Sequence, residues 1–258
     1  MGDVKRDRTA IADAIEKSRN CVVLTGLRMG GSDEGDISHQ RGEWARKGSL
    51  EGILTRPAEF WEYYEPVANV IAKREPDPAH FALAELQQSG YVKSVITQAV
   101  DRLHARAGSE GVIEVHGNVI SLRCDRCGER YGLGELPELR AAAEDGVPRC
   151  TTDGCGFPLR PAGTLWGEPL IADAVEKAWQ LAGQADLFVV LDSELRTVPI
   201  SLLPSVPLTR GTPLIIVGEV PTQYDRYAEV VVREPAAGVV VDVAKILTAR
   251  DAEDEPEA

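Results

Sequence analysis

The chain has 258 residues, 43% apolar and 27% charged, and its 41 acidic against 28 basic residues leave a net charge of −13. That length buries a full core and fits one large domain, alone or with a small lobe. The acidic balance argues against a sequence-independent grip on nucleic acid or an anionic membrane, and no 18-residue apolar run offers a transmembrane span.

The N-terminal "MGDVKRDRTAIADAIEKSRN" reads as an amphipathic helix ending before Asn20. It lacks the apolar centre of a secretory signal, so a cytoplasmic location is expected. Position six is Arg, which does not fit a myristoylation start. Cys21 to Thr25 follows as a β-branched strand, and "GLRMGGSDEGD" after it is a glycine-rich, acid-bearing loop. That is where α/β proteins often place a phosphate.

"FWEYYEPVANVIAKREPDPAHFALAELQQSG" predicts two helices separated by "EPDP", the second with Asp77 near its cap, Pro78 in its first turn and Gly90 past its end. "VKSVITQ", "DLFVVLD" and "TPLIIVGE" predict further strands, their apolar runs suiting a parallel sheet covered on both faces. The fold class expected is α/β: a Rossmann-like, doubly wound parallel sheet with an inserted small lobe. The expected domains are 1–120 with 164–250, a lobe at 121–163, and an acidic tail at 251–258.

Within the insert, Cys124 and Cys127 form a C-x-x-C pair, and Cys150 and Cys155 form a second pair with four residues between. Two close thiolate pairs fit one tetrahedral Cys₄ zinc site, with all four positions filled and therefore structural. Disulfides or four unrelated thiols are the alternatives, and a cytosolic chain disfavours the first. The glycines after Cys127 and around Cys155 suit knuckle turns. Cys21 reads as a small core residue.

Between the helices and the cysteines runs "VITQAVDRLHARAGSEGVIEVHGNVISLRCDRC", and here the chain resembles the sirtuins, NAD-dependent protein-lysine deacylases. Their motif T-Q-N-[IV]-D-x-L-H-x-x-A-G, then H-G, then the first zinc pair, is matched by Thr97, Gln98, Val100, Asp101, Leu103, His104, Ala107, Gly108, His116 and Gly117. "LRPAGTLWGEPL" is similar to the family's L-R-P-x-V-V-x-F-G-E, and the closing strands follow in order. The resemblance covers nearly the whole chain. It implies a sirtuin fold, a structural zinc, NAD as cosubstrate and an acylated protein or peptide as substrate. It implies His116 as general base, with Gly26, Arg28, Arg41, Gln98, Asp101 and Ser193 toward the cofactor. Leu165, Trp166, Gly167 and Glu168 would pair with the peptide by β-addition.

Two of these roles have a plainer counterpart: His116 and Gly117 as a joint between lobes, and Trp166 to Glu168 as lobe packing. His80 and His104 read as structural or surface histidines, and Asp101 as a residue that fixes a loop.

The departures from the family cluster at its cofactor loops. In the first loop only Gly26, Ile37, Arg41 and Gly42 match, and His39 and Gln40 stand where Asp and Phe are expected. Q-N is Gln98-Ala99, G-T-S is Asp192-Ser193-Glu194, and I-N is Ile216-Val217. Leu27 and Arg28 crowd a phosphate approach, although Arg28 offers a guanidinium to it. Two like charges about 4 Å apart repel by about 4 kcal/mol at an effective dielectric near 20, which sets Asp192 and Glu194 against a phosphate. NAD is therefore expected to bind more weakly than in an ordinary sirtuin. The two functional expectations are an NAD-dependent deacylase with an atypical pocket, or a sirtuin-like protein that no longer binds NAD and serves a protein partner or another ligand.

Overall fold

The computed structural model describes residues 2–27, 29 and 41–254. Its centre is a six-stranded, wholly parallel sheet built from β1 (Cys21–Thr25), β2 (Val92–Thr97), β3 (Ile113–Glu114), β7 (Leu187–Leu191), β8 (Leu214–Val217) and β9 (Val230–Val232). The spatial order β3-β2-β1-β7-β8-β9 is the doubly wound arrangement, in which the winding reverses between β1 and β7. β1 and β7 are buried along their whole length, as strands covered on both faces must be.

Alternation of side chains along the strands divides the core in two. Val23, Val189 and Ile215 face one layer with helices α1 (Gly2–Lys17), α5 (Pro78–Gln88) and α10 (Ala236–Asp254). Val22, Leu24, Val190 and Ile216 face the other, beneath α8 (Ala172–Gln184) and beside the short α9 (Ser205–Leu208). Cys21 lies in the first layer, fully buried, and burial raises its thiol pKa to about 12. α5 starts as the sequence predicts: Asp77 caps it in a reciprocal box with His80, Pro78 opens it, and Gly90 beyond its end takes φ +81°.

The insert forms a three-stranded antiparallel sheet, β5 (Arg130–Gly132), β4 (Ser121–Cys124) and β6 (Leu159–Pro161), with α7 (Leu136–Ala141) at its side. It does not stand alone. Helices α2 (Arg41–Lys47), α3 (Leu50–Thr55) and α4 (Pro57–Ala72) pack on it: Phe60, Trp61 and Tyr64 share one core with Leu122, Leu136 and Leu159. Tyr64 Oη donates to the Val119 carbonyl at 2.6 Å, and Arg140 pairs with Glu65 at 2.5 Å. The small lobe therefore has two chain segments, where the sequence assigned residues up to 120 to the main domain. At the other end α10 continues to Asp254, so the expected 250/251 boundary falls inside a helix. Tyr91 Oη donates to the Asp251 carboxylate there. The short α6 (Leu103–Arg106) follows β2.

Candidate functional site

The carboxyl edge of the parallel sheet, at the switch between β1 and β7, gathers the end of each inner strand. Gly26 leaves β1 with its N–H on the Leu191 carbonyl at 2.8 Å, and a Cβ there would lie 1.8 Å from the Asp192 carbonyl oxygen, so only glycine fits. Gln98 leaves β2 with its N–H on the Thr25 carbonyl at 3.0 Å. Its side-chain oxygen accepts from Ser193 Oγ at 2.6 Å, across the seam between the two halves of the sheet.

His116 completes this group. Its Nδ1 is 3.1 Å from the Gln98 carbonyl, which can only accept, so Nδ1 carries the proton and the Nε2 lone pair is left as the basic site. Burial lowers the imidazole pKa below its usual 6.5, and the carbonyl bond only partly opposes this. The ring is therefore neutral at pH 7. Its carbonyl accepts from Thr164 N at 2.8 Å, and a Cβ on the following Gly117 would meet Ala162 O at 2.6 Å. The H-G pair is thus also the seam between the lobes.

Asp101 is buried, accepts from Leu103 N at 3.0 Å at the start of α6, and lies 3.8 Å from Arg74. It fixes a loop. Arg28, Ile37, His39 and Gln40 lie outside the described residues, and of Arg41 only its place at the start of α2 is described.

Two expectations about the altered loops need correction. Asp192 does not offer a free charge: both carboxylate oxygens accept from Ala236 N, at 3.1 and 3.0 Å, in the first turn of α10. Glu194 pairs with Arg196 at 3.2 Å. Val217 is 1% exposed and packs in the core with Ile215. Ala99 does border the site, buried, with its N–H on Thr97 Oγ1 at 3.0 Å.

A buried chain behind the site was not foreseen. Thr97 Oγ1 lies 2.8 Å from Thr25 Oγ1, which lies 2.9 Å from His104 Nε2. The two threonines join the ends of β1 and β2, and His104, 2% exposed, ties α6 to the first of them, its ring 4.9 Å from that of His80. Two threonines ending adjacent strands were the available signal.

On the small-lobe side, Leu165 is buried and Trp166 is 53% exposed. One edge of this strip is taken: Leu50 N donates to the Trp166 carbonyl at 3.0 Å. Gly167 turns at φ +89°, and Glu168 receives the Arg160 fork at 2.6 and 2.5 Å while accepting from Leu165 N at 2.8 Å. Burial would raise the Glu168 pKa, but Arg160 outweighs it and the carboxyl is held below its usual range.

The four cysteines converge, with all sulfurs within 4.8 Å of one another. Cys124 to Cys155 is 3.6 Å and Cys127 to Cys150 is 3.5 Å. Tetrahedral zinc with bonds of about 2.3 Å needs sulfurs about 3.8 Å apart, so the donor set fits. Gly128, Gly154 and Gly156 take φ of +81°, +73° and +58° in the knuckle turns. For Cys150, burial opposes ionisation, but bonds from Thr152 and Tyr131 lower its pKa to about 6. At Cys155 a bond from the Phe157 amide lowers the pKa, yet burial and the neighbouring sulfurs raise it to about 12. Held this close, the four sulfurs can all ionise only with a cation among them.

A doubly wound sheet with a His–Gln–Ser group at its switch point and a four-cysteine lobe beside it defines a sirtuin. The chain belongs to the Sir2 family, which it matches over residues 40–199. It is 36% identical over 239 residues to NAD-dependent protein deacetylase 1 of Pyrobaculum aerophilum, covering 89% of this chain and 91% of that one. Among solved structures, Sir2 bound to acetylated peptide superposes with a TM-score of 0.77 at 30% identity, covering 95% of this chain and 98% of the other. A Sir2–p53 peptide–NAD⁺ complex gives 0.76, also at 30% identity, with the same coverage. Among the described residues, no helix is long and apolar enough to cross a membrane.

Proposed function

We propose that this protein is an NAD-dependent protein-lysine deacylase in which His116 is the general base. The observation that carries this reading is the Nδ1 bond to the Gln98 carbonyl, which leaves Nε2 of a neutral ring as the proton acceptor on a residue tied to the Gln98–Ser193 pair. NAD fits this crevice by its donor set: hydroxyl and amide groups converge at a switch point, and the acidic side chains of the third loop are held by Ala236 and Arg196. When bound, NAD supplies the electrophilic ribose carbon that receives the acyl oxygen as nicotinamide leaves.

The chain's own residues do the rest. His116 Nε2 accepts a ribose hydroxyl proton, which a neutral, half-buried imidazole does well near pH 7. Gln98 and Ser193 orient the ribose, with Gly26 letting the first loop leave β1 against the Asp192 carbonyl and Arg28 and Arg41 the cations assigned to that loop. Asp101 holds the turn that carries Gln98. Gly167 and the exposed Trp166 ring would receive the acylated peptide; the solved relative is a Sir2 bound to acetylated peptide. The four cysteines would hold zinc as a structural ion.

The test is calorimetry with NAD and with ADP-ribose, alongside nicotinamide release from an acetyl-lysine peptide. Binding of NAD with release that His116→Ala abolishes is the expected result. A folded wild type that binds neither nucleotide would instead support a protein that serves a partner or a different ligand.

A further inference from the structure

We infer that Asp192 is a positioning residue: its carboxylate clamps the first turn of α10 to the carboxyl edge of the sheet and so keeps three loops around the crevice in register. This rests on the deacylase reading for its functional consequence.

The geometry is local. Asp192 follows β7 in the left-handed region, at φ +49°, where Asp is better tolerated than most side chains. Its N–H donates to the Val217 carbonyl at 2.8 Å, which ties it to the end of β8. Its carbonyl oxygen occupies the place a Cβ on Gly26 would take, so the first loop leaves β1 in direct contact with it. A Cβ on Gly218 would lie 3.3 Å from its Oδ1, which brings the loop after β8 against the same side chain.

Both carboxylate oxygens then reach the Ala236 N–H, one of the first-turn donors that no helix satisfies for itself. From the other direction Arg233 donates to the Gly218 carbonyl at 2.9 Å, so α10 begins under two tethers. The family's glycine at this position can make no side-chain bond. In this chain an internal anion occupies the helix end that would attract an anionic part of a ligand. The phosphates of a dinucleotide are then left to the first loop and to Ser193.

The experiment compares Asp192→Ala and Asp192→Asn with the wild type. It reads NAD and ADP-ribose affinity by calorimetry, KM and kcat with an acetyl-lysine peptide, and hydrogen exchange of the Ala236 amide without ligand. For Asp192→Ala we expect affinity and KM for NAD to worsen by about tenfold, kcat to change less than about twofold, and Ala236 protection to fall. Asp192→Asn, which keeps an acceptor, should recover most of each loss. Tighter binding in either variant would overturn the inference, because the carboxylate would then be opposing the ligand. Unchanged affinity with lost protection would also overturn it, leaving a plain helix cap. If Asp192→Ala does not fold, the Asn variant decides by the same split. Should the wild type bind neither nucleotide, the deacylase reading fails and the positioning role with it, while Ala236 exchange still reports the clamp.

Discussion

The Gln98 carbonyl, by accepting from His116 Nδ1, decides which ring nitrogen can act, and the burial that accompanies it decides when. Because burial holds the imidazole pKa below 6.5, the neutral base persists to lower pH than a free imidazole would allow. kcat/KM should therefore stay level down to about pH 6.5 and decline only as the pH falls through the lowered value. A pH profile with its acid limb above 6.5 would remove His116 from the role of base. The motif pointed to His116 from the sequence, but the hydrogen bond that fixes its tautomer was not legible, since it joins residues 18 apart through a main-chain atom. Asp192 shows the opposite failure. A carboxylate at a helix N-terminus gains roughly 0.3–2 kcal/mol, and that partner lies 44 residues away, so composition alone read the charge as repulsive.

Among the elements, the central strands were legible because their apolar runs are short and bounded by turn residues. Helix α10 was not, because "GVVVDVAKIL" is β-branched and lacks a clear polar face; packing against α1 and α5 overrides its propensity. β3 and β9 are too short to stand out. One junction between elements carries a prediction. Burial first, and then the neighbouring His80, lower the His104 pKa to about 3 against the pull of Asp77. The unfolded chain binds that proton near pH 6.5 and the folded one does not. His104 therefore costs stability progressively as pH drops from about 6.5 toward 3, and nothing above that window. His104→Gln should flatten the acid side of a melting-temperature profile over that range, even if it lowers the plateau by loosening Thr25. An equally steep acid limb in the variant would place the acid sensitivity elsewhere.

For the whole molecule, the fold family was legible from ordered motifs, while the make-up of the small lobe was not. Trp61 and Tyr64 read as an amphipathic helix whichever lobe they cover, and only tertiary contacts assign them. That lobe has one modest core, so a zinc held by the four cysteines would carry much of its stability. Prolonged chelation should release one zinc per chain and lower the melting temperature, and Cys127→Ala should do the same. Metal analysis that finds no zinc, or melting indifferent to both treatments, would count against the assignment.

The order β3-β2-β1-β7-β8-β9 places every sheet strand that precedes the cysteine-bearing insert on one side of a single seam, and every one that follows it on the other. The chain crosses between these halves through the small lobe, where the turn at residues 142–146 is largely exposed. Cys124 and Cys127 precede that turn; Cys150 and Cys155 follow it. The protein is thus built for fragment complementation. Residues 1–143 and 144–258, produced as separate polypeptides, should recombine along the β1–β7 seam, with zinc stitching the two pieces a second time. Co-purification through a tag on one fragment would show it, and chelator should weaken the pairing without abolishing it. Fragments that never associate would mean that the covalent link, and not the seam, is what brings the halves together.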